Sequence, residues 1–231
     1  PRRAARPPVG PGPGRRLIVA MTPKKVRTIF ERFAQANPAP TTELEYRTPY
    51  QLLVAVILSA QATDKSVNLA TRELFKAAGT PQKMARFGEA GLVPYISRIG
   101  LYKTKAKNVA AMTAILLEQH GGKVPNNRAA LEALPGVGRK TANVVLNTVF
   151  GEPTIAGDTH VFRLANRCRL APGKDVREAE DKLLKVIPAE YLHHAHHWLI
   201  LHGRYVCKAG KPDCPHCLIN DLCEWPEKTA G

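Results

Sequence analysis

Apolar residues along most of the chain recur with the period of an amphipathic α-helix. The first apolar stripe consists of Val26, Ile29, Phe30 and Phe33, at i, i+3, i+4 and i+7. Thr22 and Pro23 stand directly before this stripe, and such a pair supplies a capping hydroxyl and a first helical residue that needs no N–H partner. The pattern therefore predicts a helix that begins at Pro23 and buries one face.

The same punctuation recurs further along the chain. Predicted helices open at Thr48-Pro49, at Thr63-Asp64 and, for a short one, at Thr80-Pro81, and a longer helix spans residues 103–119 before the glycines at 121 and 122. Their inward faces carry Leu58 in the first, Val67, Ala70 and Leu74 in the second, and Val109, Met112 and Leu116 in the longest. Neither apolar/polar alternation nor an internal repeat stands out. We therefore expect an all-α fold of many short helices.

Composition narrows the class of protein. The chain has 231 residues, of which 44% are hydrophobic and 23% charged, which is typical of a globular protein and excludes collagen-like and wholly disordered chains. Its longest apolar run, residues 52–58, is far shorter than the ~20 residues of a membrane span, so no membrane-spanning segment, and hence no membrane-embedded partner, is expected. The formal net charge of +15 favours a polyanionic partner, either a nucleic acid or an acidic membrane surface.

Residues 1–16 differ from the rest of the chain. They contain five Arg, five Pro and three Gly and no acidic residue, a composition that cannot pack a core and predicts a disordered basic arm. The arm either attracts DNA phosphates loosely or only solubilises the protein, and the chain stays basic without it. The apolar stretch 17–21 is too short for the core of a secretory signal, so we expect a reducing compartment.

The segment LEALPGVGRKTANVVL at 131–146 predicts a helix, a hairpin and a second helix. The first helix ends at Leu134 before a proline, Gly136 and Gly138 give the backbone freedom, and the second helix begins near Arg139. Backbone N–H groups at such a helix start can hold a phosphate oxygen, although an ordinary turn between helices is the simpler alternative. A Walker loop is excluded, because an arginine separates the second glycine from the lysine.

Lys140 stands where a cation is unfavourable. The helix dipole opposes an ammonium in the first turn by about 0.3–1 kcal/mol, and Arg139 beside it adds repulsion. Both effects favour the neutral amine, the form in which lysine attacks an electrophilic carbon and forms a Schiff base. The alternative is that Lys140 contacts a phosphate as a point charge.

Asp158 precedes the apolar residues of another predicted helix, so it has a simple role as an N-cap worth about 1 kcal/mol. Its functional alternative is a carboxylate at the edge of the same cleft as Lys140. There it would take part in proton transfer and stabilise positive charge that develops on a sugar ring.

Four of the five cysteines form a C-x6-C-x2-C-x5-C pattern near the C-terminus, and Cys168 stands alone. The four are Cys207, Cys214, Cys217 and Cys223. Four clustered thiolates hold either a tetrahedral zinc or an iron-sulfur cube, and a single C-x2-C pair favours the cube over zinc. The cations Arg204, Lys208 and Lys211 are expected to give the first loop a positive surface, and His216 is expected to be exposed rather than a ligand.

A group of histidines precedes this loop. His193, His194, His196 and His197 suggest a metal site at first sight, because positions 193 and 197 share a helix face. The apolar residues 198–201 that follow favour a different interpretation, an amphipathic helix with the histidines on and near its solvent-exposed face.

Together these segments resemble the endonuclease III family, bacterial base-excision glycosylases of the helix-hairpin-helix superfamily. The segments are LSAQATD at 58–64, LPGVGRKTANVVLNT at 134–148, DTH at 158–160, HHWLILHGRYVC at 196–207 and the four-cysteine loop. The resemblance covers roughly residues 17–226. It implies a six-helix domain with the hairpin at 42–152, and a second domain with a 4Fe-4S cluster made from 17–41 plus 153–231.

The resemblance also implies a reaction. Lys140 is expected to attack C1′ of a flipped, damaged pyrimidine nucleotide, with Asp158 assisting, and the Schiff base then allows β-elimination of the strand. The expected activities are a DNA N-glycosylase and an abasic-site lyase, and the expected partner is double-stranded DNA with oxidised pyrimidines or abasic sites. A monomer in the bacterial cytoplasm, associated with the nucleoid, is expected. Gly157 stands where a bulkier residue such as Val is typical, which predicts looser positioning of Asp158.

The family likewise implies which residues touch DNA. An enzyme that takes a base out of the stack has to fill the hole, and Gln61 and Leu101 are the residues expected to insert there. The backbone of the hairpin, Gly136, Val137 and Gly138, is expected to hold a phosphate, with Arg139 and Thr141 completing the DNA contacts. Two competing hypotheses are an adenine-mismatch glycosylase, against which Lys140 argues, and a non-catalytic DNA-binding or redox-sensing protein.

Overall fold

A computed structural model of the chain describes residues 21–230. It contains ten α-helices and one short 3-10 helix in the described residues: α1 Pro23–Ala36, α2 Pro49–Ser59, α3 Asp64–Ala78, α4 Pro81–Ile96, α5 Tyr102–His120, α6 Arg128–Glu132, α7 Arg139–Phe150, α8 Thr159–Arg167, α9 Val176–Val186, the 3-10 turn Ala189–Tyr191 and α10 Leu192–Tyr205. The expectation of an all-α fold is confirmed. The predicted basic arm, residues 1–16, lies outside the described residues.

Threonine caps explain where the early helices begin. The hydroxyls of Thr22, Thr48, Thr63 and Thr80 each accept a hydrogen bond from the backbone N–H three residues further on, over 3.2–3.4 Å. In three of these helices the next residue is proline, whose fixed φ suits the first helical position. These four helix starts lie where the sequence predicts them.

The helix after Thr80 is longer than predicted. α4 runs for 16 residues rather than as a short helix, and it consists of two helical segments joined at Gly88. Gly88 has a φ of +59°, a left-handed conformation that a glycine adopts without steric cost, so the chain bends there and resumes its helix. The prediction of a short helix was wrong, because a second helical segment follows Gly88 directly.

The buried side chains form two separate clusters. The first core comprises residues from Leu44 to Leu146 and holds α2 to α7, while the second core combines Met21 to Phe33 with Ile155 to Ile219. We call the helices around them the first lobe (α2 to α7) and the second lobe (α1 and α8 to α10). The first core lies within residues 42–152, and the second core lies within residues 17–41 and 153–231. The division into domains at those boundaries stays a prediction.

α2 lies at the centre of the first lobe. Every residue from Tyr50 to Leu58 is buried, and the helix packs against α3, α5 and α7. In the second lobe α8 packs against α9 and α10. None of the helices within residues 21–230 is long and apolar enough to cross a membrane.

Candidate active site

The hairpin between α6 and α7 depends on Gly136. Its φ is +79°, and a Cβ atom built there would lie 3.0 Å from Cβ of Asn108 on α5. Any other residue would therefore be strained by its backbone and crowded by its neighbour. The glycine lets the hairpin lie directly on α5, which fixes the start of α7 against the first core.

The N-terminus of α7 carries no side-chain cap. Gly138 occupies the N-cap position with an extended backbone, and it has no side chain that could bond to the first-turn N–H groups. Val137 is buried, and its own N–H donates to the carbonyl oxygen of Leu134 over 3.0 Å. The expected phosphate donors of the hairpin are therefore to be sought at Gly138 and the first turn of α7, since the N–H of Val137 is already used.

Lys140 and Asp158 meet at the start of two helices. Lys140 lies in the first turn of α7, and its Nζ donates a hydrogen bond to Oδ2 of Asp158. Asp158 is the N-cap of α8, and its Oδ1 accepts from the backbone N–H of His160 over 2.7 Å. Asp158 thus acts as a cap with one oxygen and pairs with the lysine with the other.

Burial and charge act on Asp158 in opposite directions. The side chain is only 9% exposed, and this burial alone raises the pKa of the carboxyl group. The hydrogen bond and the positive charge of Lys140, helped by the His160 N–H, outweigh it, so the pKa is lowered below its ordinary value. The helix dipole disfavours an ammonium in the first turn of α7. The negative charge of Asp158 beside Lys140 offsets this unfavourable interaction.

The chain that leads to Asp158 is held by buried polar side chains. The side-chain amide of Asn143 on α7 donates to the carbonyl oxygen of Ile155 over 2.9 Å. The backbone carbonyl oxygen of Asn143 accepts from the hydroxyl of Thr154 over 2.6 Å. Asn147, one turn later, donates to the carbonyl oxygens of Glu152 and Thr154. The two asparagines thereby supply hydrogen bonds to the backbone of this extended segment, which has no helix or strand partners of its own.

Gly157 does not leave an open gap beside Asp158. A Cβ atom built on it would lie 2.3 Å from Cγ1 of Val176 on α9, so a methyl group of the second lobe fills the space. The segment is packed on that side and hydrogen-bonded through Asn143 on the other. The expected loosening around Gly157 finds no counterpart in this packing.

A cavity opens between the two lobes at the ion pair. Residues of the first lobe, such as Val56 and Ser59, and residues of α10, such as His196 and Ile200, line it together with Lys140 and Asp158. The hypothesis from the sequence placed Lys140 and Asp158 at the same cleft. In the structure both residues line this cavity.

The same cavity is lined by a charged cluster that the sequence did not predict. Arg204 on α10 donates to carboxylate oxygens of both Glu43 and Asp64, each over 2.5 Å. The expectation that Arg204 contributes to a positive cysteine-loop surface was wrong, because its guanidinium is paired with carboxylates across the lobes. Asp64 had been assigned only to a helix start, and its spacing from Arg204 along the chain gave no signal of their contact.

The histidines of α10 do not all lie on its solvent-exposed face. His193 is exposed as expected, but His196 and His197 are only 1% and 8% exposed. Burial lowers the pKa of His196 to about 3, and its Nδ1 accepts a hydrogen bond from the N–H of Ala156 over 3.3 Å. The prediction failed because α10 crosses between the lobes and is covered on more than one face.

Gln61 and Leu101 lie at the tips of two adjacent loops. Both have left-handed backbones, with φ of 53° and 60°, and Leu101 is 61% exposed. A Cβ atom built on Gly100 would lie 3.9 Å from the carbonyl oxygen of Gln61, so the two loops are in contact. Their insertion into DNA stays a prediction, which these exposed neighbouring positions permit.

Arg139 is engaged within the protein. Its Nε and Nη2 atoms donate to Oε1 of Glu180 over 3.0 and 2.5 Å. Thr141, the other expected DNA contact beside the hairpin, lies half-buried in the first turn of α7. The predicted contact of Arg139 with DNA therefore competes with a carboxylate of the second lobe.

The four clustered cysteines line one apolar cavity, together with residues such as Leu164, Ile219 and Trp225. Their thiols form no disulfide, and Cys168 is buried at the C-cap of α8. Burial raises the pKa of Cys217 to about 11, with the neighbouring thiols contributing. His216 is exposed, as expected.

Two arginines of α8 wrap the loop around this cavity. Arg163 donates to the carbonyl oxygens of Gly203 and Cys207, and Arg167 donates to those of Lys208 and Ala209. No three His, Cys, Asp or Glu side chains among residues 21–230 are close enough to hold a single metal ion.

Comparison with known proteins gives consistent matches. A profile of HhH-GPD superfamily base excision DNA repair proteins matches residues 54–189. Endonuclease III of Escherichia coli K12 is 60% identical over 208 residues, which cover 90% of this chain and 99% of that protein. Endonuclease III of Haemophilus influenzae is 60% identical over 200 residues, which cover 87% of this chain and 95% of that protein.

Solved structures agree. A trapped endonuclease III–DNA covalent intermediate matches with a TM-score of 0.82 at 43% identity, covering 88% of this chain and 96% of that one. A thermostable thymine-DNA glycosylase matches with a TM-score of 0.78 at 22% identity, over 87% of this chain and 96% of that one, a likeness of fold alone.

Proposed function

The chain belongs to the HhH-GPD superfamily of base excision DNA repair proteins and within it to the endonuclease III family, and from this premise we propose that Lys140 is the nucleophile of its reaction. The protein is a DNA N-glycosylase with abasic-site lyase activity. The single observation that carries the assignment of Lys140 is its hydrogen bond to Asp158 at the cavity between the lobes.

The ion pair supplies the two forms of the lysine that the reaction requires. Asp158 accepts a proton from the ammonium, and the neutral Nζ of Lys140 then bonds to C1′ while the bond from C1′ to the base breaks. Asp158 passes this proton on to the departing base, so the base leaves as a neutral molecule. The carboxylate, again charged, stabilises the positive charge that develops on the sugar as the ring opens to an iminium.

Strand cleavage follows from that iminium. Because the C=N⁺ group makes the C2′ proton acidic, a base can remove it, and the electron pair expels the 3′ phosphate. Water then hydrolyses the Schiff base and releases Lys140. One lysine thus serves base removal and strand cleavage, which agrees with an enzyme that has both activities.

The described surface supports a DNA substrate. The uncapped start of α7 at Gly138 offers N–H donors to a phosphate, and Gln61 and Leu101 stand on exposed loops at positions suited to filling a vacated stack. The net charge of +15 agrees with phosphate contacts. The proposal includes damaged pyrimidines and abasic sites as substrates and a monomeric protein acting at the nucleoid.

The cysteine cavity fits a 4Fe-4S cluster as a structural group. Cys207, Cys214, Cys217 and Cys223 line one apolar cavity, and the arginines of α8 bond to the backbone of the loop around it. When bound, the cluster cross-links the loop through its four thiolates. Purified protein should contain about four iron and four sulfide per chain, and stoichiometric zinc without iron would replace this assignment.

Borohydride trapping on a duplex with one abasic site tests the nucleophile. The wild-type protein should form a covalent adduct with the DNA that Lys140→Gln does not form, because only a Schiff base is fixed by the reductant. Lys103→Gln is a matched control, since Lys103 is an exposed lysine in the first turn of the uncapped helix α5. Undiminished trapping by Lys140→Gln would overturn the assignment, and so would loss of the adduct in both variants.

An adenine-mismatch glycosylase is the competing enzyme. By the resemblance that branch lacks the lysine nucleophile, whereas here the lysine is present and paired with the aspartate. Release of adenine from a mismatch without any trapped adduct would favour that alternative.

A further inference from the structure

Glu180 is a buried carboxylate that the proposed reaction does not use. Its side chain is 3% exposed, and it belongs to α9 of the second lobe. A buried carboxylate is costly unless its oxygens are bonded, so its partners indicate what holds it there. The groups around Glu180 lie next to Lys140 and Asp158 along the chain.

The partners on one side belong to the first turns of α7. Oε1 of Glu180 accepts from Arg139 through Nε and Nη2, and from Nδ2 of Asn143 over 3.2 Å. Arg139 and Asn143 are four residues apart and share a helix face. Arg139 immediately precedes Lys140, so the carboxylate fixes both the rotation and the position of the turn that carries the nucleophile.

The partner on the other side is the chain before Asp158. Oε2 of Glu180 lies 3.2 Å from the place where a Cβ of Gly157 would stand, so the carboxylate lies directly beside that residue and leaves no room for a side chain there. The same Asn143 that bonds Glu180 also bonds the carbonyl oxygen of Ile155. One buried carboxylate therefore locates the backbone before Asp158 and the helix turn of Lys140 relative to each other.

We propose that Glu180 is a positioning residue that sets the alignment of Lys140 with Asp158 from the second lobe, through Arg139 and Asn143. This inference rests on the proposed function of Lys140. It also gives Arg139 a role within the protein, because its guanidinium serves the alignment while it is bonded to Glu180. A misplacement of about 1 Å at a reacting group is enough to slow a reaction by about 100-fold.

Glu180→Gln tests the alignment, since the amide keeps the size of the side chain and loses its charge. The measurement is a single-turnover time course of borohydride-trapped adduct, which separates the rate constant from the amplitude. We expect the rate constant to fall by about tenfold or more, with the amplitude per folded protein unchanged. The dissociation constant for a duplex with a non-reactive tetrahydrofuran abasic analogue should stay within about threefold of wild type, because Glu180 is buried and is not itself an expected DNA contact.

Leu183→Ala is the matched control. Leu183 is fully buried on the same helix, in the second core, and its truncation leaves a cavity without touching Arg139 or Asn143. It should lower the melting temperature and leave the rate constant of folded protein near that of wild type. If Leu183→Ala slows the reaction as much as Glu180→Gln, the effect is general loosening and the proposal is wrong.

Further outcomes separate this proposal from the assignment of Lys140. If wild-type protein forms no adduct, the proposed nucleophile fails. If wild-type protein reacts and Glu180→Gln reacts at the same rate constant, or loses only amplitude, the positioning role alone fails. Should Glu180→Gln not fold, Arg139→Gln takes its place, because that side chain is 31% exposed and its loss leaves the fold less disturbed. It too should lower the rate constant. Its rate constant is measured at saturating DNA, since Arg139 is also an expected DNA contact and weaker binding must not be read as lost alignment.

Discussion

The starts of α7 and α8 meet at one ion pair and are built in opposite ways. α8 begins with Asp158, a carboxylate that caps its N-terminus as helix energetics favour. α7 begins with Gly138, which provides no cap, and carries Arg139 and Lys140 in its first turn, where cations are disfavoured. The first helix start is satisfied by its own cap, whereas the second leaves its N–H donors without a side-chain cap.

The difference shows where the protein gives up stability for chemistry. Each of the early helices α1 to α4 has a threonine cap, so the fold is able to satisfy a helix start. α5 and α7 lack side-chain caps and have Leu101 and Gly138 at their N-cap positions, two of the residues expected to touch DNA. An uncapped helix start is available to an external anion in a way that a capped one is not.

The largest expected effect tests the chemical side of this comparison. Asp158→Asn keeps a side chain that caps a helix nearly as well, so the free energy of unfolding should change by less than about 1 kcal/mol. Base removal should slow by about 10²–10⁴-fold, because an amide neither accepts the proton of Lys140 nor stabilises a cationic sugar. Calorimetry and single-turnover base release measure the two effects. If the activation free energy of base release rose by no more than the free energy of unfolding fell, Asp158 would act only as a helix cap.

The next effect comes from capping α7. Gly138→Asp places a carboxylate at an N-cap whose backbone is extended, and no atom lies within 4 Å of the new Cβ. Stability should rise by a few tenths of a kcal/mol, since Gly is already a tolerable cap. DNA binding should weaken by about tenfold, because the carboxylate takes the N–H donors and repels the phosphate.

Thermal unfolding and a DNA titration at fixed salt measure both quantities for Gly138→Asp. Binding that is unchanged while stability rises would show that the start of α7 does not contact a phosphate.

A smaller effect concerns the other uncapped helix. Leu101→Gly relieves a left-handed backbone and should stabilise the protein by about 1 kcal/mol. It should also slow base removal from duplex DNA by several-fold and leave release from single-stranded DNA unchanged, because only a duplex has a stack to fill. Arg169→Gly is the matched control, since Arg169 has the same φ of 60° and should gain stability without a change in either rate.

The smallest effect is the mutual dependence of the two helix starts. Lys140→Gln removes the charge that lowers the pKa of Asp158, so burial prevails and that pKa should rise, as an NMR titration of the carboxyl carbon would show. In the folded wild type the pKa of Asp158 is lower than in Lys140→Gln, so the pair makes the wild type more stable than the variant. This extra stability is fully present above the pKa that Asp158 has in the variant. It disappears as the pH falls below the pKa that Asp158 has in the wild type. The advantage should be below about 1 kcal/mol, since the ammonium is half exposed. An unshifted titration would contradict the coupling.

Local signals in the sequence determined much of this. The threonine caps, the apolar stripes and the glycines of the hairpin act within a few residues, so the starts of α1 to α4 and of α7 could be predicted. The proposal of Lys140 as the nucleophile came from the same local signals and from resemblance, as did the prediction of Asp158 as a helix cap. The cysteine pattern, likewise, is visible within one short stretch of chain.

Tertiary structure decided the rest. Glu180 is 41 residues from Arg139 and Arg204 is 140 residues from Asp64, and no period or spacing connects such pairs. His196 and His197 looked solvent-facing because a periodic pattern describes one apolar face, whereas α10 is covered by both lobes. The sequence alone determined which residues could react and where the helices begin, since these depend on local geometry. Which carboxylate faces which cation depended on how the two lobes pack, because burial and partners are properties of the assembled fold.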